Sequence, residues 1–528
     1  HDVPFLAWDL INEPSISQHL WTMRPNRDPI ELAAWNEWLS KRYPDPAALA
    51  AAWNLPSSAV RGTVPLPADE EFTPRGMYVG HNSLKVYDFF LFAQESFAAW
   101  VQTMRDAIRG TGSQQLITVG QDEGGIQDRP SPAYWGRFVN FTTNHSWWWD
   151  DSLLWDSLMA KQPEQALLIQ ETGLQRELNL DETARRTPES EASLLERKVA
   201  TSFIQGAGAL EWLWNTNSYM TESNETPIGA VRPDGTDKPE ATVMRGYARF
   251  AQSIGARLRK PQQPAIAIIT SQAAQFSVIA DLQIAAQRKA VRALAYDTHL
   301  TAYAIAENQI EKLGAPKLAI LPSPQALAES TWRSLLKYVS DGGNLLVTGS
   351  VDRDEHWHVA MRAAELKLQA QTEPLTYHNA TIKLNEQLIP LAFDQQKQSW
   401  LASMRFEDGS TFKEVSYGKG HIFWAAYPVE LAEGTNAAAE LYRHVAARVG
   451  IGPMFDLQSN LSPGVLIFPT VLEDSVLYVI TSERADDTRI DLRDKVTGVR
   501  VTLQLPAQHA ALALIGKQEK AVIATYGF

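Results

Sequence analysis

The chain has 528 residues, a length that suggests about three or four domains at roughly 150 residues each. Forty-eight Lys and Arg against 61 Asp and Glu leave a formal charge of −13, with a pI near 5.4. That balance excludes a sequence-independent nucleic-acid binder, which needs a basic face to displace counterions from phosphates. Cysteine is absent, which removes disulfides, thiolate zinc sites, thiol nucleophiles and iron–sulfur ligation together. No apolar run approaches the ~18 to 20 residues of a membrane-spanning helix. Seventeen Trp, 15 Tyr and 18 Phe are mostly core material, with some surplus suited to the flat faces of sugars.

Residues 1–12 carry no charged leader, long apolar stretch or small-residue cleavage site, so they do not read as a signal peptide, and localisation is left unassigned. Phe5–Asn12 (FLAWDLIN) is a nearly continuous apolar run between Pro4 and Pro14, the pattern of a buried parallel strand. Helical spacing follows over Pro29–Tyr43 and, for about seven turns, over Ser83–Arg109, which Gly110 ends. Strands are expected at Leu116–Gly120, Phe138–Asn144, Ala166–Glu171 and Ala209–Trp214, with a helix at Glu189–Gln205 between the last two. Strands alternating with helices indicate a parallel sheet with right-handed crossovers.

A long helix, Glu240–Leu258, leads to a Pro- and charge-rich boundary at Arg259–Pro264. Ala265–Thr270, Lys317–Leu321 and Asn344–Gly349, with a helix at Ser330–Ser340, form a second, smaller α/β unit. After about Glu365 short runs such as Tyr417–Trp424, Val465–Thr470, Val476–Ile480 and Val499–Leu505 predict mostly antiparallel β structure. The expected domains are thus 1–260, 261–365 and 366–528.

Two segments carry chemistry. Trp8–Pro14 (WDLINEP) ends a strand on Asn12-Glu13-Pro14, and Leu168–Gly173 (LIQETG) ends another on Glu171. A carboxylate at the carboxyl end of a parallel strand points into the mouth of a barrel, where that architecture keeps its reactive groups. Either glutamate alone could be solvated or capping a helix. Two of them, on the first and fourth strands of one five-strand series, can face each other. Glycosidic cleavage needs that pair: one carboxyl protonates the leaving oxygen, and the other attacks or activates water.

With these motifs the chain resembles a retaining glycoside hydrolase of the large (β/α)₈ clan A, most closely the family 42 β-galactosidase type. The helix containing Trp35–Tyr43, the Ala52-Trp53 pair and the long helix Val86–Arg109 match that layout. Leu336–Gly349 (LKYVSDGGNLLVTG) matches that family's trimerisation unit, of flavodoxin or class I amidotransferase-like fold. The resemblance implies an α/β fold class: a partial TIM (β/α)₈ barrel holding strands four to eight, the amidotransferase-like domain, and a C-terminal antiparallel β domain. It implies Glu13 as acid/base, Glu171 as nucleophile and Asn12 as the partner of the sugar 2-hydroxyl. It places Trp214 under the reacting sugar, with His145 and Trp147 near the nucleophile. Trp147 stands where the clan often has Tyr, and Asn-Glu-Pro is commoner in the clan's mannan-, glucan- and mannoside-cleaving families.

A barrel does not close on five strands, so a further ~120 to 200 residues are expected upstream, from the ~250-residue size of such barrels. The substrate implied is a carbohydrate, cleaved by an exo-acting β-galactosidase or β-mannosidase that forms a homo-trimer or other homo-oligomer. An endo-acting β-mannanase or β-glucanase, and a non-catalytic carbohydrate-binding barrel, remain as alternatives. No cofactor, nucleic acid or membrane partner is expected. Gly110-Thr111-Gly112 and Gly418-Lys419-Gly420 lack the strand–glycine–helix context of a phosphate cradle. No metal site is expected, and His356-x-His358 reads as a solvated turn.

Overall fold

The computed structural model describes residues 5–15, 24–73, 83–122, 129–146, 150–173, 179–181, 183, 185–205, 208–211, 214–216, 229–384, 387–394 and 401–528. Trp147 lies outside them.

The first part is an arc of parallel strands in chain order: β1 (Ala7–Asn12), β2 (Leu116–Gly120), β3 (Thr142–Ser146), β4 (Leu167–Thr172) and β5 (Ala209–Glu211). β1 pairs with β2, and β3 with β4 and β5. The two groups meet at a parallel bridge between Asp122 and His145, where His145 N donates to Gln121 O at 2.7 Å. Helices Ser83–Gly110, Asp150–Ala160 and Pro188–Ser202 supply three of the crossovers. The third strand begins later than its apolar run suggests, because Gly136–Phe138 winds into a short 3₁₀ turn first.

The arc is curved. Gln170 on β4 donates from Nε2 to Asp9 Oδ2 on β1 at 2.9 Å, across the concave side. Among the described residues the strands do not close into a barrel. β1 therefore pairs on one side only, and Phe5, Leu6, Trp8 and Ile11 are exposed, although their apolar run reads as a buried strand.

Most of the aromatic surplus is core. Trp35 is fully buried, stacked between Trp38 and Trp53 at 5.6 and 6.1 Å, under Phe89 and Phe92 of the long helix. The same helix carries Asp88, fully buried and accepting from Trp53 Nε1 (2.7 Å) and Tyr43 Oη (2.9 Å), with Arg42 Nε at 3.3 Å. His356 Nε2 lies 3.1 Å from the same carboxylate, so His356 is not on a solvated turn but docks into the first part of the chain. Burial works against charging this imidazole, but the hydrogen bond and charge of Asp88 outweigh it and raise its pKa. A raised folded-state pKa contributes stability that is complete below the unfolded value of about 6.5 and lost as pH rises through the folded value. Thermal unfolding is therefore expected to show His356→Gln losing most relative to the parent near pH 6, by about 1–3 kcal/mol, and much less at pH 9. An equal loss at both pH values would remove the charged contact from the account.

The middle unit is a six-stranded sheet built from β6 (Ile266–Thr270), β7 (Ala302–Ala306), β8 (Leu318–Leu321) and β9 (Asn344–Thr348), with two strands from beyond residue 365. Those two follow the antiparallel pair β10/β13 (Ala370–Pro374, Ala402–Phe406) and, inserted between its strands, the pair β11/β12 (Asn379–Leu384, Gln387–Ala392). They are β14 (Phe412–Tyr417) and β15 (Gly420–Ala425), giving the order β14-β15-β9-β8-β6-β7. The tail is thus not wholly antiparallel. β15 runs parallel to β9, its apolar Ile422–Ala425 being as buried as the neighbouring strands. Helix Glu329–Ser340 covers one face through Trp332, Leu335, Leu336 and Val339, at the spacing of a single helical stripe.

Residues 455–526 form two packed antiparallel sheets of three and four strands around Val465, Tyr478, Ile490 and Val501. Their last strands rest on helices Pro188–Ser202 and Pro239–Ile254. There Glu196 accepts from Tyr526 Oη at 2.9 Å and from Ala510 N at 3.1 Å.

Candidate active site

β1 ends at Asn12, and Glu13 follows with φ +45°. That left-handed geometry costs a residue with a Cβ about 1–3 kcal/mol and persists only where neighbours enforce it. Here Glu13 N donates to Gly120 O at 2.7 Å. Gly120 leaves room at this approach: a Cβ there would meet Asp9 Oδ2 at 2.7 Å, Ile11 O at 3.1 Å and Asn12 Oδ1 at 3.2 Å.

The conformation carries the Glu13 carboxylate over the end of β3. His145 Nδ1 lies 2.9 Å from Glu13 Oε1 and 3.5 Å from Glu171 Oε2. One imidazole nitrogen therefore faces both glutamates, and those two oxygens are no further apart than the two distances laid end to end. With carboxylates on both sides, Nδ1 carries the proton and donates. His145 is fully buried, while the side chains of Glu171 and Glu13 are 13% and 35% exposed, so the carboxyl groups sit at the open rim of the cluster.

The hydrogen bond from His145 holds the Glu13 carboxyl below the ordinary glutamate range. Burial opposes this, and the charges of His145 and Arg129 reinforce it.

Two further residues complete the cluster, and the sequence reading passed over both. Asp122, just past β2, places a carboxylate oxygen within 4.8 Å of the potential ligand atoms of Glu13 and His145. Asp122 Oδ2 also accepts from Arg129 Nη2 at 2.5 Å, in an ion pair whose two side chains are almost wholly buried. Glu13, Asp122 and His145 could in principle ligate a cation, but the guanidinium on Asp122 already supplies positive charge there. The position of Asp122 at a strand's carboxyl end was a usable signal; Arg129 had none.

The remaining residues singled out in the sequence are placed less decisively. Asn12 is exposed beside Glu13. Trp214 is 48% exposed, with the Arg245 guanidinium 5.9 Å from its ring.

No protein-family model and no curated protein sequence matches the chain. Solved structures do. A catalytic mutant of a GH42 β-galactosidase from G. stearothermophilus superimposes with TM-score 0.72 at 13% identity, covering 95% of this chain and 77% of that one. The β-galactosidase of Bacillus circulans sp. alkalophilus gives 0.71 at 14% identity, covering 97% and 79%. A GH42 exo-carrageenase from Bacteroides ovatus gives 0.60 at 11% identity, covering 92% and 62%. The chain thus has an α/β fold similar to that of GH42 enzymes.

Proposed function

We propose that the protein is a retaining β-glycosidase. The observation that carries this reading is the single imidazole nitrogen in reach of both glutamates. The two distances bound the separation of the Glu13 and Glu171 oxygens, and that bound accommodates the ~5 to 5.5 Å between carboxyl groups that is usual for retaining enzymes. The arc of residues 1–260 is read as strands four to eight of a (β/α)₈ barrel. Residues 261–365 are read as an amidotransferase-like domain and 366–528 as a β-rich region that lends it two strands.

In the first step Glu171 attacks the anomeric carbon while the bond to the leaving oxygen breaks and the Glu13 proton passes to that oxygen. Glu13 then takes a proton from water, which attacks the same carbon and frees Glu171. The proton affinity of Glu13 falls between the steps, because esterification removes the negative charge of Glu171. Asn12 is assigned to the sugar 2-hydroxyl and Trp214 to the floor of the sugar site. An exo-acting β-galactosidase is the preferred specificity, since β-galactosidases are among the similar structures. The test is hydrolysis of an aryl β-galactoside and β-mannoside panel, with NMR of the first-formed sugar. Release of the β-anomer supports the proposal; the α-anomer, or no turnover on any glycoside, overturns it.

A pH signature follows. Glu13 must be protonated to act as acid, and His145 depresses its proton affinity. The alkaline limb of kcat/KM is therefore expected below that of an unperturbed glutamate. His145→Gln, which removes the imidazole donor, should move the limb upward; a stationary or falling limb would separate His145 from the titration of Glu13.

A further inference from the structure

Arg129 reaches the site from outside the strands. It is fully buried, and its backbone carbonyl accepts from Gln94 Nε2 at 2.9 Å, which ties it to the long helix Ser83–Gly110. Gln94 Oε1 in turn accepts from Ser131 N at 2.7 Å. From this anchor the guanidinium divides its contacts. Nη2 donates to Asp122 Oδ2 at 2.5 Å, while Nη1 lies 3.4 Å from the carbonyl oxygens of both Glu13 and Pro14. Those carbonyls follow the left-handed Glu13 residue.

We propose that Arg129, locked in place by Asp122, is a positioning residue that holds the strained Glu13 backbone and shields its carboxyl from the charge of Asp122. The inference rests on the reading of Glu13 as the acid/base.

The electrostatic part is directional. The groups facing the Glu13 carboxyl are His145 on β3, Glu171 on β4, and Asp122 with Arg129 beyond β2. Asp9, on Glu13's own strand, is engaged by Gly120 N and Gln170 Nε2. Asp122 is a third carboxylate near a site that already holds two. Unpaired, it would favour the protonated form of Glu13; paired, it is neutralised, and the charge of Arg129 reinforces His145 in keeping Glu13 low. Removing one partner of the ion pair therefore shifts Glu13 one way, and removing the other shifts it the opposite way.

The experiment is the pH profile of kcat/KM for Arg129→Gln, Asp122→Asn and the double variant, on one aryl glycoside with a poor leaving group and one with an activated one. Arg129→Gln is expected to raise the alkaline limb by about one pH unit. It should also slow the poor substrate about tenfold more than the activated one, because only the former needs the proton of an aligned Glu13. Asp122→Asn is expected to lower the limb, and the double variant to return it toward the parent. A merely structural pair would reduce both substrates alike and leave the limb in place. That result, or limbs moving in the same direction in the two single variants, overturns the proposal. If Arg129→Gln fails to fold, Asp122→Asn, near-isosteric, carries the test by the sign of its own shift. Carboxyl-¹³C NMR titration of Glu13, assigned with Glu13→Gln, keeps the two readings distinguishable. Glu13→Gln with undiminished turnover of the poor substrate would defeat the acid role, whereas opposite shifts of the Glu13 resonance in the single variants would still sustain the Arg129 inference.

Discussion

Glu171→Ala is expected to lower kcat/KM by about 10⁴-fold or more on every glycoside the protein cleaves, whatever the leaving group. The reason lies in the geometry. Glu171 is the penultimate residue of β4, with its carboxylate beside His145 and largely sheltered, so it is poised to form a bond rather than to exchange protons with solvent. Without it no covalent intermediate forms, and a better leaving group does not compensate. Added azide should restore turnover, because the vacated space below the sugar admits a small anion, and the product should be the α-glycosyl azide, the inverted anomer. Rescue that yields the β-azide would place Glu171 on the other side of the sugar.

Glu13→Ala is expected to behave differently. Loss of a general acid costs about 10²- to 10⁴-fold where the leaving oxygen needs a proton. A dinitrophenyl glycoside leaves as a stable anion, so formation of its glycosyl-enzyme should be almost unaffected. The intermediate should then accumulate, because the base that activates water is gone as well. A pre-steady-state burst of dinitrophenolate, followed by slow turnover that azide accelerates, is the signature. Equal losses on the poor and activated substrates would remove the acid role from Glu13.

The core of this site was legible in sequence because each part is local. An apolar run that stops on a carboxylate is visible over a handful of residues, so Glu13 and Glu171 could be singled out at strand ends, whereas His145 came only with the family resemblance. Long-range partnership was not legible. Asp88 and His356 are 268 residues apart, and nothing near either one predicts the other. The Arg129 contacts with Glu13 and Pro14 cross gaps of 116 and 115 residues, and no periodicity or motif marks a lone arginine after a loop. Pairing direction was hidden too. Residues 417–424 read as part of a mostly antiparallel tail, and β15 does pair antiparallel with β14, but it also joins a parallel sheet through β9, where His421 sits opposite Asn344, a register that only the packed structure fixes. The left-handed backbone at Glu13 was hidden for the same reason, since it exists only because Gly120 and the residues around it enforce it.

The most direct measurement is covalent trapping. The purified protein would be incubated with an activated 2-deoxy-2-fluoro analogue of the aryl glycoside it cleaves fastest, then digested and mapped by mass spectrometry. One glycosyl adduct on the peptide carrying Glu171 is the expected result, with none forming in Glu171→Ala. An adduct on Glu13 or on any other residue, or steady turnover of the analogue with no adduct, would contradict the convergence of these two glutamates on one sugar carbon.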